Sequence, residues 1–264
     1  MERYYSDLAT AFVRGRLGNP LASIEDGIRE GLRLHKFKQN IELPRVKRIL
    51  GILRGLAPEN LLDVGSGRGT FLWPLLAAFP SLPVTAIDVS EQRVSDLLAV
   101  RNGGIERLSV ARMDAQELAF SEGSFDVVTM LEVLEHMPNP AVALCGAVRT
   151  ARRFVLISVP SVPDDNPEHI HLFGVEQLRE MAASAGCTRV TIDHVLNHRI
   201  LLCQVPLSRS RNFLGRLTWK ARKFSVGMRM SPCFCQANYA VGGLWWRRKW
   251  TAPTVGLALM KMGR

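Results

Sequence analysis

Two carboxylates and an imidazole stand at Glu132, Glu135 and His136, at spacings i, i+3 and i+4. If this segment coils as a helical turn, the three side chains share one face and converge. Such a set could hold a divalent cation: its oxygens favour magnesium or manganese, and its ring nitrogen admits manganese, iron or zinc. A further ligand is available in Glu168-His-Ile-His171, downstream of the loop Pro163-Asp-Asp-Asn-Pro167. Without a metal, His136 and Glu135 could act as a base at a pocket, or could simply pack the loop that Pro138 and Pro140 mark.

A second constellation lies earlier in the chain. Asp63-Val-Gly65-Ser66-Gly67-Arg-Gly69 follows an apolar run of strand length and precedes a helical pattern beginning at Thr70. Glycines at such a turn tolerate strained backbone angles and let a ligand approach the main chain closely. No Gly-Lys-Ser/Thr ending follows, which excludes the phosphate loop of nucleotide hydrolases. Asp88, in Ile-Asp88-Val89-Ser90 about twenty residues past the glycines, is placed to accept hydrogen bonds from two ribose hydroxyls; the same pattern also suits a helix N-cap.

The elements that must position these groups alternate. Strands are predicted over 60–64, 82–88, 106–112, 123–132 and 154–159, with helices over 70–79, 91–100, 141–150 and 175–185 and a sixth strand ending at Val195. Strand and helix in alternation imply parallel β-α units and a doubly wound sheet. The nearly continuous apolar run from Asp126 marks a central strand covered on both faces, which delivers Leu131 and Glu132 to the carboxyl edge where open α/β sheets bind ligands. Thr254 to Lys261 is taken as the closing seventh strand, in preference to the shorter candidate Ile200 to Val205. Ahead of the core, Leu21 to Phe37 and Pro44 to Leu53 are expected to form cap helices over the cleft, with His35 either a lid residue or a surface group. The expected organisation is therefore cap helices over 1–55, a core over 56–206, a basic insertion over 207–252 and the closing strand within 253–264.

Charge is unevenly spread. Residues 194–264 carry thirteen Lys/Arg and no Asp or Glu, whereas residues 1–193 carry 21 basic and 24 acidic side chains. Trp219, Trp245, Trp246 and Trp250 lie in the same tail. Cationic residues interleaved with aromatics suit an anionic membrane surface or a nucleic-acid backbone, and equally a solvated cationic face. No run of about 18 uncharged apolar residues spans a membrane. Five cysteines without a C-x-x-C pair argue against a disulfide framework, and the polar N-terminus does not read as a secretory signal, so the expected location is the cytoplasm, with peripheral contact at the inner face of the membrane left open. His194 and His198 read as incidental, and Cys233-Phe-Cys235 lacks zinc-site spacing.

The D-x-G-x-G-x-G turn resembles motif I of the class I S-adenosylmethionine-dependent methyltransferases, and the likeness runs through the later strands, roughly residues 58–195. It implies S-adenosylmethionine as cofactor, held by Asp63, Gly65, Ser66, Gly67, Gly69, Asp88, Val89 and Leu131, with Asp114 and Ala115 at the adenine. The Glu132-x-x-Glu135-His136 string is similar to two metal-using subfamilies, the small-RNA ribose 2′-O-methyltransferases and the ubiquinone-pathway catechol O-methyltransferases. By the first likeness His169 completes a metal set with Glu132, Glu135 and His136. The string is also common among methyltransferases with no known metal, where the histidine borders the pocket. The expected function is methyl transfer to an oxygen of a small or lipid-like acceptor, with RNA ribose 2′-O-methylation or a non-catalytic cofactor-binding adaptor as alternatives.

Overall fold

The computed structural model describes residues 5–39 and 43–206. Three N-terminal helices, α1 (Ser6–Leu17), α2 (Ile24–Arg29) and α3 (Pro44–Leu56), precede β1 (Leu61–Val64), α4 (Leu72–Ala78), β2 (Val84–Asp88), α5 (Glu91–Asn102), β3 (Leu108–Arg112) and β4 (Phe125–Leu131). Then come α6 (Pro140–Thr150), β5 (Ala151–Pro160), α7 (Val175–Ser184), β6 (Arg189–Val195) and β7 (His198–Gln204), with short 3-10 turns at His35–Phe37 and Leu134–His136. The strands form one seven-stranded sheet in the order β3-β2-β1-β4-β5-β7-β6. β1 to β5 are mutually parallel, and β7 runs antiparallel to both β5 and β6.

The central strands are apolar throughout because both faces are covered. On one face Leu61, Val84, Ala86, Val127 and Leu156 pack under α1, α3, α4 and α5. On the other, Leu62, Val64, Ile87, Val128, Val155 and Ile157 pack under α6 and α7. Alternate residues of one strand thus feed two cores, as the period of two requires. At the amino edge of the sheet, buried Asp126 accepts hydrogen bonds from the Glu59 amide and pairs with Arg152 and Arg153.

Two expectations need correction. The strand beside β5 is His198–Gln204, the shorter candidate, because Leu196 (φ 51°) and Asn197 turn the chain directly back from β6 into an antiparallel partner. That position in the sheet is therefore not open to 254–261; those residues, like the rest of the proposed insertion from 207, lie outside the described residues. At the N-terminus, the expected helix over 21–37 is instead the six-residue α2 followed by a break: Gly31, at φ 72°, adopts the left-handed conformation that ends the helix. The longer helix there is α1, which crosses α5 closely enough that a Cβ on Gly15 would lie 1.9 Å from the Ala99 carbonyl oxygen. Arg16 and Lys36 fasten the crossing through Asp96. Of the N-terminal helices, α3 is the one that reaches the carboxyl edge of the sheet, with Arg45, Val46 and Ile49 on a cavity there. His35 is exposed and stands outside that cavity's lining.

Candidate active site

A cavity of about 1120 Å³ opens along the carboxyl ends of the parallel strands. The turn after β1 forms its floor. Gly65, Gly67 and Gly69 all have positive φ (71°, 56° and 82°). At Gly65 a Cβ would meet a Val133 methyl at 2.6 Å, so the turn is open to a ligand only without a side chain. The amides of Gly65 and Ser66 donate to the Ile87 carbonyl at 2.9 and 3.1 Å, tying the turn to the end of β2.

Asp88 closes β2. One carboxylate oxygen accepts the Gly67 amide at 2.8 Å and the other the Ser90 amide at 2.9 Å, and Arg93 lies 3.7 Å away. A carboxylate accepts up to four hydrogen bonds, so two donors fix its orientation and leave acceptor capacity for a ligand. Asp63 lies behind it and takes the Thr129 hydroxyl at 2.7 Å; burial pushes its carboxyl up to about 6. Farther along, Val89 (62% exposed), Met113 and Ala115 supply apolar lining beside the polar side chains of Asp114 and Gln116. Of the expected cofactor residues, Asp63, Gly65, Ser66, Gly67, Asp88, Val89, Asp114, Ala115 and Leu131 all line the cavity. Gly69 does not: it lies against Trp73, where a Cβ would fall 2.0 Å from the ring.

The other end of the cavity carries the second constellation. The 3-10 turn Leu134–His136 and the loop 163–171 are stitched together, since the amides of Ile170 and His171 donate to the Glu135 carbonyl at 2.9 and 3.2 Å. This brings Glu135, His136 and His169 into a group whose ligand atoms lie within 4.8 Å of one another. The two imidazoles sit edge to face, 4.7 Å between centroids. His136 Nδ1 is 2.9 Å from the Glu168 carbonyl and His169 Nδ1 is 2.8 Å from the Asp164 carboxylate. Both partners can only accept, so each Nδ1 carries a proton and each neutral ring keeps its lone pair on Nε2.

Glu135 is fully buried, and neither carboxylate oxygen has a hydrogen-bond partner. Desolvation first, and the neighbouring Glu132 charge second, push its carboxyl up to about 8. His136 and His169 line the cavity, and Glu135 stands behind them. The structure thus gathers three of the four expected metal ligands. Glu132 stands apart from the group, its carboxylate engaged by Ser158 and by His198 at 3.2 Å.

Ser158, His198 and the cavity-lining Arg45 were not expected at the site. His198 could have been found only by recognising β7 as an antiparallel strand whose first residue lies at the carboxyl edge. Arg45 could have been found from the first-turn position on α3, but its facing direction is a tertiary fact.

The sequence profile of a family described as "Methyltransferase domain" matches residues 35–192. The ubiquinone biosynthesis O-methyltransferase of Aromatoleum aromaticum is 35% identical over 101 residues, which is 37% of this chain and 42% of that protein. The 27-O-demethylrifamycin SV methyltransferase of Amycolatopsis mediterranei is 31% identical over 137 residues, 48% of this chain and 50% of that protein. The chain therefore spans half or less of the length of these curated relatives. A SAM-dependent methyltransferase from Aquifex aeolicus superposes with a TM-score of 0.53 at 20% identity, covering 63% of this chain and 92% of its own, a likeness of fold.

Proposed function

The chain belongs to the class I S-adenosylmethionine-dependent methyltransferases, and on that footing we propose that it methylates an oxygen of a small-molecule acceptor. The observation that carries the reading is Asp88, held by the Gly67 and Ser90 amides at the wall of a cavity whose far end gathers carboxylates and imidazoles. S-adenosylmethionine, when bound, supplies a sulfonium methyl group. The residues fit it: Asp88 has acceptor capacity for a ribose diol, the positive-φ glycine turn leaves the main chain open, and Val89 with Ala115 offers an apolar slot ending at Asp114 for a purine. The acceptor would enter beside α3, between Val46 and Ile49 on one side and His136 with His169 on the other. Holding it there against the methyl group turns a two-body encounter into an oriented one.

The Glu135, His136 and His169 group also fits a divalent cation. Its support is the donor set: an unpartnered buried carboxylate together with two imidazoles whose Nδ1 protons are tied down, which is the outer-shell arrangement of histidine ligands. One carboxylate and two imidazoles suit manganese, iron or zinc better than magnesium. A cation held there would acidify an acceptor hydroxyl.

We assign the cationic, Trp-rich segment from 207 onward to peripheral contact with an anionic membrane surface from the cytoplasmic side, on the strength of its composition. Among the described residues no helix is long and apolar enough to cross a membrane, and the described cysteines form no disulfide. Salt-sensitive binding to anionic vesicles in preference to RNA tests this assignment.

The function itself is tested by incubating the protein with methyl-labelled S-adenosylmethionine and a panel of phenol, carboxylic acid and amine acceptors, followed by mass spectrometry. Label on a phenol or carboxyl oxygen is the expected product; label only on nitrogen would overturn the acceptor class.

A further inference from the structure

Three adjacent strand ends, those of β4, β5 and β7, meet beside the cavity. Glu132 follows β4, Ser158 lies near the end of β5, and His198 opens β7. Because β7 runs antiparallel, its first residue pairs with Pro160 at the end of β5, so His198 arrives at the edge where the parallel strands finish. The Ser158 hydroxyl donates to one oxygen of the Glu132 carboxylate, and His198 Nε2 lies 3.2 Å from the other. A carboxylate only accepts, so Nε2 carries the proton and His198 is a donor in either charge state.

Glu132 is also conformationally unusual. Its φ is 56°, one of three non-glycine residues with positive φ among the described residues, although its amide is anchored to the Ser158 carbonyl at 2.9 Å. A side chain held in that region at a cavity is the kind of strain that clusters at working sites, because a glycine there would relieve it at once. Glu132 and Ser158 line the cavity, whereas His198 stands outside its lining. The Glu132 side chain is 25% exposed and that of His198 21%.

We propose that Glu132 is the general base that takes the proton of the acceptor hydroxyl, and that His198 is the positioning residue that, with Ser158, holds its carboxylate facing the acceptor. The step balances. The acceptor oxygen forms its bond to the methyl carbon as its proton passes to Glu132; the methyl–sulfur bond breaks and leaves its electron pair on the sulfur of S-adenosylhomocysteine. The proton then leaves to water when the product departs. This role rests on the O-methylation reading above and differs from metal ligation by Glu132, whose carboxylate stands outside the Glu135, His136 and His169 group and keeps acceptor capacity beyond its two donors.

The test compares native protein with E132Q, H198F and H198Q for S-adenosylmethionine affinity, thermal stability, and kcat and KM with 3,4-dihydroxybenzoate and simple phenols as acceptor probes. E132Q should lower kcat by ~100-fold or more, the range that positioned proton transfer contributes, with cofactor affinity unchanged. H198F should lower kcat by about 10-fold with KM little moved, and H198Q, which keeps a donor, should recover most of that loss. If native protein transfers methyl to oxygen and E132Q keeps its kcat, or H198Q is as impaired as H198F, the proposal is overturned while the O-methylation reading stands. If native protein binds cofactor but methylates no hydroxyl probe, that reading fails and the base assignment fails with it.

Discussion

Replacing Glu135 by glutamine should make the metal-free protein more stable in alkaline solution than in acid, relative to the native chain. The carboxyl is fully buried without a partner, and burial with the nearby Glu132 charge pushes it up to about 8 from an ordinary 4.5. Between those two values the folded chain keeps a proton that the unfolded chain has lost, so stability contributed by this group falls as pH rises through the window and levels off above it. At ~1.4 kcal/mol per unit, the penalty is about 3 kcal/mol at pH 7 and about 5 kcal/mol by pH 9. Glutamine has no such titration. Its amide adds an unpaired donor that costs about 1–3 kcal/mol at every pH, so the informative quantity is the slope rather than the offset. Urea unfolding of chelator-treated protein at pH 5, 7 and 9 should therefore show the stability difference, variant minus native, growing by several kcal/mol across the series. Added manganese should stabilise the native chain and leave E135Q unmoved. Parallel pH profiles for the two proteins would refute the placement of an unpartnered carboxyl at this position.

Other outcomes follow from the same geometry. G69A should cost about 2 kcal/mol or more and lower the melting temperature, because its Cβ falls 2.0 Å from the Trp73 ring at a φ of 82°. D126N should cost about 1–2 kcal/mol at pH 7, the loss being that of charged hydrogen bonds to Arg152 and Arg153, whose own exposure of 47% and 36% lets water screen the rest. At Asp126 burial acts to raise the carboxyl, but the Glu59 amide and the two arginines outweigh it and hold the carboxyl below its ordinary range. Its contribution is thus present above the unfolded carboxylate range and lost as pH falls, and the D126N deficit in urea unfolding should shrink in acid. In a calorimetric titration, H169F should abolish manganese binding and spare S-adenosylmethionine binding, since His169 lies at the far end of the cavity from Asp88.

Much of the core was legible because its signals are local. The run from Asp126 to Leu131 reads as a buried strand from its own residue types, and Asp63-x-Gly65-x-Gly67-x-Gly69 specifies a turn that only glycines can make. Asp88 was found by its interval from that turn. What failed were features set by pairing and packing. β7 opens with the polar pair His198-Arg199 and so ranks below a more apolar stretch, and nothing in 198–204 announces that Leu196 and Asn197 reverse the chain. His198 carries no local signal of a role, since only the antiparallel pairing of β7 with β5 brings it to Glu132. α1 escaped notice because its apolar face includes small residues, whose value lies in the close crossing with α5. The spacing of Glu132, Glu135 and His136 implies one converging face, yet the left-handed backbone at Glu132 turns its carboxylate toward Ser158 and leaves Glu135 and His136 to meet His169.

The most direct test of the account is a titration of S-adenosylmethionine into the full chain and into D88A by calorimetry. The native protein should bind one molecule per chain, and loss of the Asp88 acceptor should weaken binding by ~10–100-fold, equivalent to about 1.5–3 kcal/mol for hydrogen bonds to a charged group. No binding by the native chain, or equal affinity in D88A, would contradict the claim that this cavity is a cofactor site built around Asp88.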